Sequence, residues 1–328
     1  MTTRRHLLLS SLALPALSTL PAARAAAFPE RAVTLVVPYS VGIGPDVVAR
    51  ALAEPLQARW GQPVLVDNRP GASGIIAFGR VRRTPADGHT LYLADSATLA
   101  INPLLHTSLP YDPEADLQPL TLLFQATFML FTSGPAGRFA TLRAMLDAAR
   151  AAPGTVRYAA LGNGHPSQLA VEAMAQAQGL RMEAVHFRDA GTLLSTLAGG
   201  SVDFTAIGMN TVAGLVAAGR LRPLAVGSAQ RLPAHPEIPT LAEAGGPAMT
   251  MHPWAALATR SGTPPGLLRT LEQDLAWAMS TPGLRAVAAQ AGFEITPSTP
   301  QAVRERAAAD LALYTPLLPE GRIERISA

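Results

Sequence analysis

Val33 to Arg50 reads VTLVVPYSVGIGPDVVAR. Val33–Val37 is apolar and β-branched, the pattern of a buried strand, and the run stops at Pro38. A loop carrying Gly42 and Gly44 follows, and Pro45 and Asp46 open an amphipathic pattern that continues to Arg59. Strand, open loop and helix start therefore succeed one another. A helix start carries unpaired N–H groups and the positive end of the dipole, so it receives an anion without needing a basic side chain.

The same alternation extends along the chain. Pro63–Val66 precedes a helical pattern over Gly74–Val81, and Thr90–Ala94 precedes a short helix near Ala97. Val156–Tyr158, Ala184–Phe187, Phe204–Ile207 and Leu224–Val226 repeat the pattern in the middle of the chain, each followed by a candidate helix. This is the signature of an α/β fold built on mostly parallel sheets covered on both faces, with ligands expected beyond the carboxyl ends of the strands. Two apolar runs, Leu120–Phe131 and Met251–Ala258, bracket the middle section and are expected to carry the chain between two domains. The boundaries that follow are 28–125 with 252–328 for the first domain and 126–251 for the second. The last part, Pro265–Ser280, Pro282–Ala291 and Thr299–Leu318, reads as helical with one short strand at Phe293–Ile295, and should pack back on the first domain.

Residues 1–27 have the three parts of an export signal: Arg4 and Arg5, an apolar run from Leu7 to Leu20, and small residues at Ala23, Ala25 and Ala27. Cleavage is expected after Ala25 or Ala27, and the paired arginines suit either the Tat or the Sec route. Pro15 and several serines break the apolar run, which falls short of the ~20 residues a membrane span requires. The expected location is the periplasm. The leader also corrects the charge: all 26 basic residues are arginine and three lie within residues 1–27, leaving 23 against 23 acids. A neutral mature chain without a basic cluster gives no support to nucleic-acid binding. Zero cysteine excludes disulfides, thiol nucleophiles and cysteine metal sites.

No catalytic set stands out. The histidines His89, His106, His165, His186, His235 and His252 lack HxxxH or HExxH spacing, and there is no GxSxG. Gly42-Ile43-Gly44, with Asp67 ending the next strand, partly matches a dinucleotide fingerprint, but Val47 stands where the third glycine belongs. An NAD-dependent oxidoreductase is therefore the weak alternative, and no metal and no cofactor are expected. Two further glycine-rich turns precede helices: Asn68–Gly74, where Arg69 is available to clamp an anion, and Gly162–Ser167, at the end of the first strand of the middle domain. The second of these is placed to face the Gly42 loop across a cleft.

Blocks along the whole mature chain resemble the Bug family, the extracytoplasmic solute receptors of tripartite tricarboxylate transporters. They include FPERAVTLVVPYS, LVDNRPGASG, ADGHTLYLADSATLAINPLL, LPYDPEADLQPLTLL, PGTVRYAALGNGHPSQLA, GRLRPLAVGSAQRLPAHPEIPTLAEAG and HPWAALATRSGTPP. The resemblance implies a two-domain, periplasmic-binding-protein-like fold of type II that closes by a hinge on a small, usually carboxylated solute. It implies a monomer that presents the solute to membrane subunits; a solute sensor feeding a signalling partner is the alternative in the same compartment. In the family the carboxylate is held by backbone N–H groups, small hydroxyl side chains and water from two facing loops.

The family's first-loop pattern P-F-x-P-G-G-x-x-D falls on Pro38–Asp46, with Ile43 at its second glycine. Its facing loop Y-A-S-S-G-x-G-S falls on Tyr158–His165, with Ala160, Leu161 and His165 where serines are customary. Phe187-Arg188-Asp189 stands for Y-K-G, and Ile207-Gly208 for F-D. The expected ligand contacts are Tyr39, Ser40, Gly42, Ile43 and Gly44 from the first domain and Leu161, Gly162, Asn163, Gly164 and His165 from the second. Ser96, Ala97, Asp189 and Asn210 are further candidates at other strand ends. Hydroxyl donors are lost and bulk, a histidine and an acid are gained, which leaves the identity of the ligand open.

Overall fold

The computed structural model describes residues 28–327, so the export signal expected over residues 1–27 lies outside it. Eleven strands are present among the described residues: β1 (Val33–Val37), β2 (Val64–Asn68), β3 (Thr90–Asp95), β4 (Leu117–Ala126), β5 (Phe128–Ser133), β6 (Arg157–Ala160), β7 (Glu183–His186), β8 (Phe204–Gly208), β9 (Leu221–Val226), β10 (Trp254–Arg260) and β11 (Phe293–Ile295). They form two sheets, one in the order β11-β4-β10-β3-β1-β2 and the other β7-β6-β8-β5-β9.

β1 shows why the pattern Val33–Val37 makes a central strand. It pairs in parallel with β2 on one side and β3 on the other. Side chains alternate across a strand, and both faces are covered. Val33, Leu35 and Val37 meet Val48, Ala49, Leu52 and Leu56 of the helix Gly44–Trp60, while Val36 meets Ala77, Phe78 and Val81 of the helix Ile75–Arg82. In the second sheet, β6 pairs in parallel with β7 and β8. Its Tyr158 and Ala160 pack with the helices Leu142–Ala151 and Pro166–Ala177, and Ala159 faces Leu193 and Leu197 on the other side.

The sheets are mixed. β10 runs antiparallel between β3 and β4, β11 antiparallel to β4, and β5 antiparallel between β8 and β9. The parallel blocks β2-β1-β3 and β7-β6-β8 come from local strand–helix alternation. The antiparallel members are the crossing strands and the C-terminal return. The run Leu120–Phe131 is two strands, broken at Thr127 where the chain passes from one sheet to the other. The second crossing lies beside it: Ala126 N–H donates to Pro253 O at 2.8 Å and Phe128 N–H to Met251 O at 2.9 Å.

The chain end touches both sheets' helices. Leu317 and Ile323 share a cluster with Leu169 of the helix Pro166–Ala177 and with Ile101, Leu104 and Leu105. Arg322 pairs with Glu172 of that same helix at 3.2 Å, both side chains buried. Among the described residues no helix is long and apolar enough to cross a membrane.

Candidate functional site

A cleft of about 240 Å³ opens between the two sheets at the ends of β1, β3 and β6. One wall carries Tyr39, Asp95, Ser96, Ala97 and Asn102; the other carries Leu161, Asn163, Gly164 and His165. Phe124, Trp254 and Phe293 supply apolar surface between them, the Phe124 and Phe293 rings tilted by 45° with centroids 4.4 Å apart.

On the first wall, β1 ends and delivers Tyr39, whose hydroxyl donates to Asp95 Oδ2 at 2.6 Å. Asp95 Oδ1 accepts from the Thr98 N–H at 2.8 Å and the Thr98 hydroxyl at 2.9 Å, which ties the end of β3 to the helical turn after it. Burial raises the Asp95 carboxyl above the ordinary aspartate value, opposed by the donors Tyr39 and Thr98. Burial and the neighbouring Asp95 push the Tyr39 phenol well up, so it stays protonated. Ser96 is buried, and among the described residues its hydroxyl has no protein partner.

On the second wall, the turn after β6 takes Gly162 and Gly164 through positive φ, +86° and +74°, a conformation that suits glycine. Gly164 N–H donates to Gln168 Oε1 at 2.7 Å. His165 caps the helix Pro166–Ala177: its Nδ1 accepts from the Ser167 N–H at 3.1 Å and lies 2.8 Å from the Ser167 hydroxyl. A backbone N–H can only donate, so Nδ1 is the unprotonated nitrogen and the neutral ring carries its proton on Nε2. Burial lowers the imidazole pKa to about 4, which keeps it neutral at physiological pH. His165 is thus an uncharged donor at the cleft.

The structure brings Tyr39, Ser96, Ala97, Leu161, Asn163, Gly164 and His165 to one cavity. It does not bring Ser40, Gly42, Ile43, Gly44, Gly162, Asp189 or Asn210 to the cavity lining. The helix start at Gly44 explains the first group of departures. Gly42 N–H donates to Asp46 Oδ2 at 2.8 Å, and Asp46 also accepts from Asn68 and pairs with Arg50. Burial works against the charged form of Asp46, but Arg50, the Gly42 N–H and Asn68 together hold its carboxyl below the ordinary value. The loop is therefore closed on its own aspartate, with Ser40, Gly42 and Ile43 exposed. Gly44 is covered by the Phe293 ring, whose Cε2 lies 2.6 Å from where a Cβ would stand.

Asp189 is exposed and caps the helix Ala190–Ala198, accepting from the Thr192 N–H and hydroxyl. Asn210 reaches across to the other domain, donating from Nδ2 to Ala291 O at 2.6 Å. Its partner loop fits it closely, because a Cβ at Gly292 would stand 2.5 Å from Asn210 Cγ. The walls also touch at Gly164, where a Cβ would stand 2.0 Å from Leu105 Cδ1, and Asn163 Nδ2 donates to Glu324 O at 2.9 Å.

Asp95, Asn102, Phe124, Trp254 and Phe293 line the cleft without having been singled out from the sequence. Asp95 had one usable signal: an aspartate closing a buried strand, three residues before a threonine, is a pattern for capping the following turn.

The family model for the tripartite tricarboxylate transporter family receptor matches residues 48–320. The chain belongs to that receptor family. BugT of Bordetella pertussis, another Bug protein, is 32% identical over 278 residues, 84% of this chain and 85% of BugT. Among solved structures, R. palustris Rpa4515 with adipate superposes with a TM-score of 0.77 at 29% identity, covering 91% of this chain and all of that one. A TctC solute-binding protein from Polaromonas, without ligand, gives 0.75 at 27% identity over 89% of this chain and 99% of its own. The tripartite tricarboxylate receptor fold, two α/β domains with a cleft between them, is therefore the frame in which these residues act.

Proposed function

We propose that this receptor is exported to the periplasm, through the Tat or Sec route, where it captures a small organic acid by closing its two domains and delivers it to the membrane subunits of a tripartite carrier. The observation that carries the reading is the cleft itself, lined from both domains and reached from one of them by the neutral His165 donor. A ligand that touches both walls favours the closed arrangement, and only such differential contact can drive closure. The adipate bound by Rpa4515 supports an organic acid as the solute class. In this reading 28–125 with 252–328 move against 126–251, and the paired crossings at Ala126–Phe128 and Met251–Pro253 are the hinge. Tyr39, Ser96, Ala97, Leu161, Asn163, Gly164 and His165 contact ligand, while Asp46 and Asn210 serve the loop and the closed interface. The protein acts as a binding protein and not as an enzyme.

Titration calorimetry of the exported protein against a panel of mono- and dicarboxylic acids tests this, with small-angle scattering before and after saturation. Saturable one-to-one binding with a reduced radius of gyration is expected. A panel without heat, from protein that native mass spectrometry shows to be empty, contradicts the reading.

A further inference from the structure

Beyond the paired crossings, the end of the chain passes between the domains once more. The helix Pro300–Tyr314 roots it in the first domain, where Val303 packs in the cluster of Val36 and Tyr92 and Asp310 Oδ2 accepts from Trp254 Nε1 at 2.8 Å. Past Leu317 the chain lies on the second domain. Arg322 meets Glu172 there, Gln176 Nε2 donates to Glu320 Oε1 at 2.8 Å, and Asn163 Nδ2 donates to Glu324 O at 2.9 Å. Two residues later it is back on the first domain. Ile326 N–H donates to Leu105 O at 2.8 Å and Ile326 O accepts from the Thr107 N–H at 3.1 Å, with His106 as its partner in a parallel bridge.

This path ends at the cleft. Ile326 lines it, as does Leu105, whose side chain stands against Gly164 of the second domain. Ile323 fills the cluster in which Leu169 of the second domain meets Ile101, Leu104 and Leu105 of the first. The two attachments of the strap differ in kind. On the second domain it is held by a buried ion pair, which is costly to separate. On the first it is held by two backbone hydrogen bonds close to a chain end, the sort of contact that opens most readily. When the domains part, the strap therefore stays on the second domain and Ile326 lifts from its seat.

We infer that residues 320–326 are a clasp on the cleft: they travel with the second domain, and the cleft opens only when Ile326 leaves its seat on Leu105–Thr107. This rests on the hinge reading above and adds a releasable connection beside the paired crossings. A role in covering the core accounts for Ile323. It does not account for the return of the chain to the first domain, nor for Ile326 in the cleft lining.

The test is a removable lock. The chain has no cysteine, so His106→Cys with Ile326→Cys introduces its only thiols, at bridge partners about 4.8 Å apart and within reach of a disulfide. Hydrogen exchange of the ligand-free protein, followed by mass spectrometry over 94–98 and 161–165, reads the opening of the cleft. Forming the bond is expected to slow exchange at both walls at least about tenfold against the reduced form of the same variant, with the helix Leu142–Ala151 unchanged. A chain stopped after Glu324, which keeps Arg322 on Glu172, should exchange faster at both walls than the unaltered protein. Equal exchange in the oxidised and reduced forms overturns the inference. So does a pair that stays reduced under oxidant, because the seat would then not exist. If the shortened chain does not fold, the comparison of oxidised and reduced forms decides. Bond-dependent exchange in a protein that binds no acid keeps the clasp and removes the acid. Indifference to the bond, with a radius of gyration that falls when an acid saturates the unaltered protein, removes the clasp and leaves hinge closure standing.

Discussion

At Gly164 a single hydrogen separates closure from collision, since a Cβ there would stand 2.0 Å from Leu105 Cδ1 on the other wall. Gly164→Ala is expected to weaken ligand affinity at least about tenfold, because the walls must stand further apart, and to cost about 1–2 kcal/mol of stability from the positive φ. Gly42→Ala is the contrast: its φ is also positive, but no atom of the described residues lies within 4 Å of the added Cβ. It should lower the melting temperature and leave affinity within a factor of about three. Calorimetry and melting curves on the two variants separate these outcomes. His165 makes a pH prediction. Its folded pKa of about 4 lies below the ordinary 6.5, so the unfolded chain takes up a proton that the folded chain refuses. Stability is therefore full above about pH 6.5 and falls as pH drops towards 4, by up to about 3 kcal/mol. His165→Asn, which can still cap the helix, should flatten that limb of the stability curve. Gly164 and His165 were legible because a glycine turn before a proline-led helix after a strand is local chemistry. Asp189 and Asn210 had the same strand-end position but different destinations, a helix cap and a contact across the cleft. Nothing local to them distinguishes those.

The helix Gly44–Trp60 begins as its sequence suggests, with proline and aspartate in the first turn, but Asp46 turns back to Gly42 and occupies the donor an external anion was expected to use. Asp46→Ala should release the loop, cost about 1–3 kcal/mol and free Asn68 and Arg50. Because the folded Asp46 pKa is depressed, its contribution is complete above the ordinary aspartate value and is lost as pH falls through the folded one. At the other end of the chain, Arg322 and Glu172 form a buried pair that fastens the C-terminal strap to the helix Pro166–Ala177. Arg322→Met leaves Glu172 buried without its cation and should cost about 3–5 kcal/mol, with the double change Arg322→Met and Glu172→Met costing less. Thermal melts of the single and double variants check this. Strands such as β1 and β3 were readable from apolar runs bounded by Pro or Asp. The domain boundary at 125/126 falls where Gln125 and Thr127 interrupt the apolar run, but the change of sheet at Thr127 was not readable, because Thr121 interrupts the same run within β4 and only a pairing partner far along the chain, Met251–Pro253, distinguishes the two. The antiparallel placement of β10 and β11 is hidden for the same reason.

Over the whole molecule, two sheets joined by paired crossings also touch across the cleft, at Asn210 on Ala291 O and at Gly164 against Leu105. In the proposed hinge closure the Asn210 bond belongs to the closed form, so Asn210→Ala should weaken ligand binding by about 0.5–1.5 kcal/mol, a few-fold in Kd, while the ligand-free melting temperature moves little. Two-domain architecture and the existence of the cleft follow from features spread along the entire sequence, the strand–helix alternation and the two crossings. The furnishing of the cleft depends on Trp254, at the start of the second crossing strand, and Phe293, from the C-terminal return, which carry no local mark of that destination. In the proposed complex a small acid sits between the Tyr39–Asp95–Ser96 wall and the turn at 161–165. The most direct measurement is a crystal structure of the protein with the tightest acid found by calorimetry. It should show a carboxylate oxygen within hydrogen-bond distance of His165 Nε2, with the rest of the ligand enclosed between the walls. Ligand density at the exposed Gly42–Ile43 helix start, with the cleft filled by water alone, would contradict it.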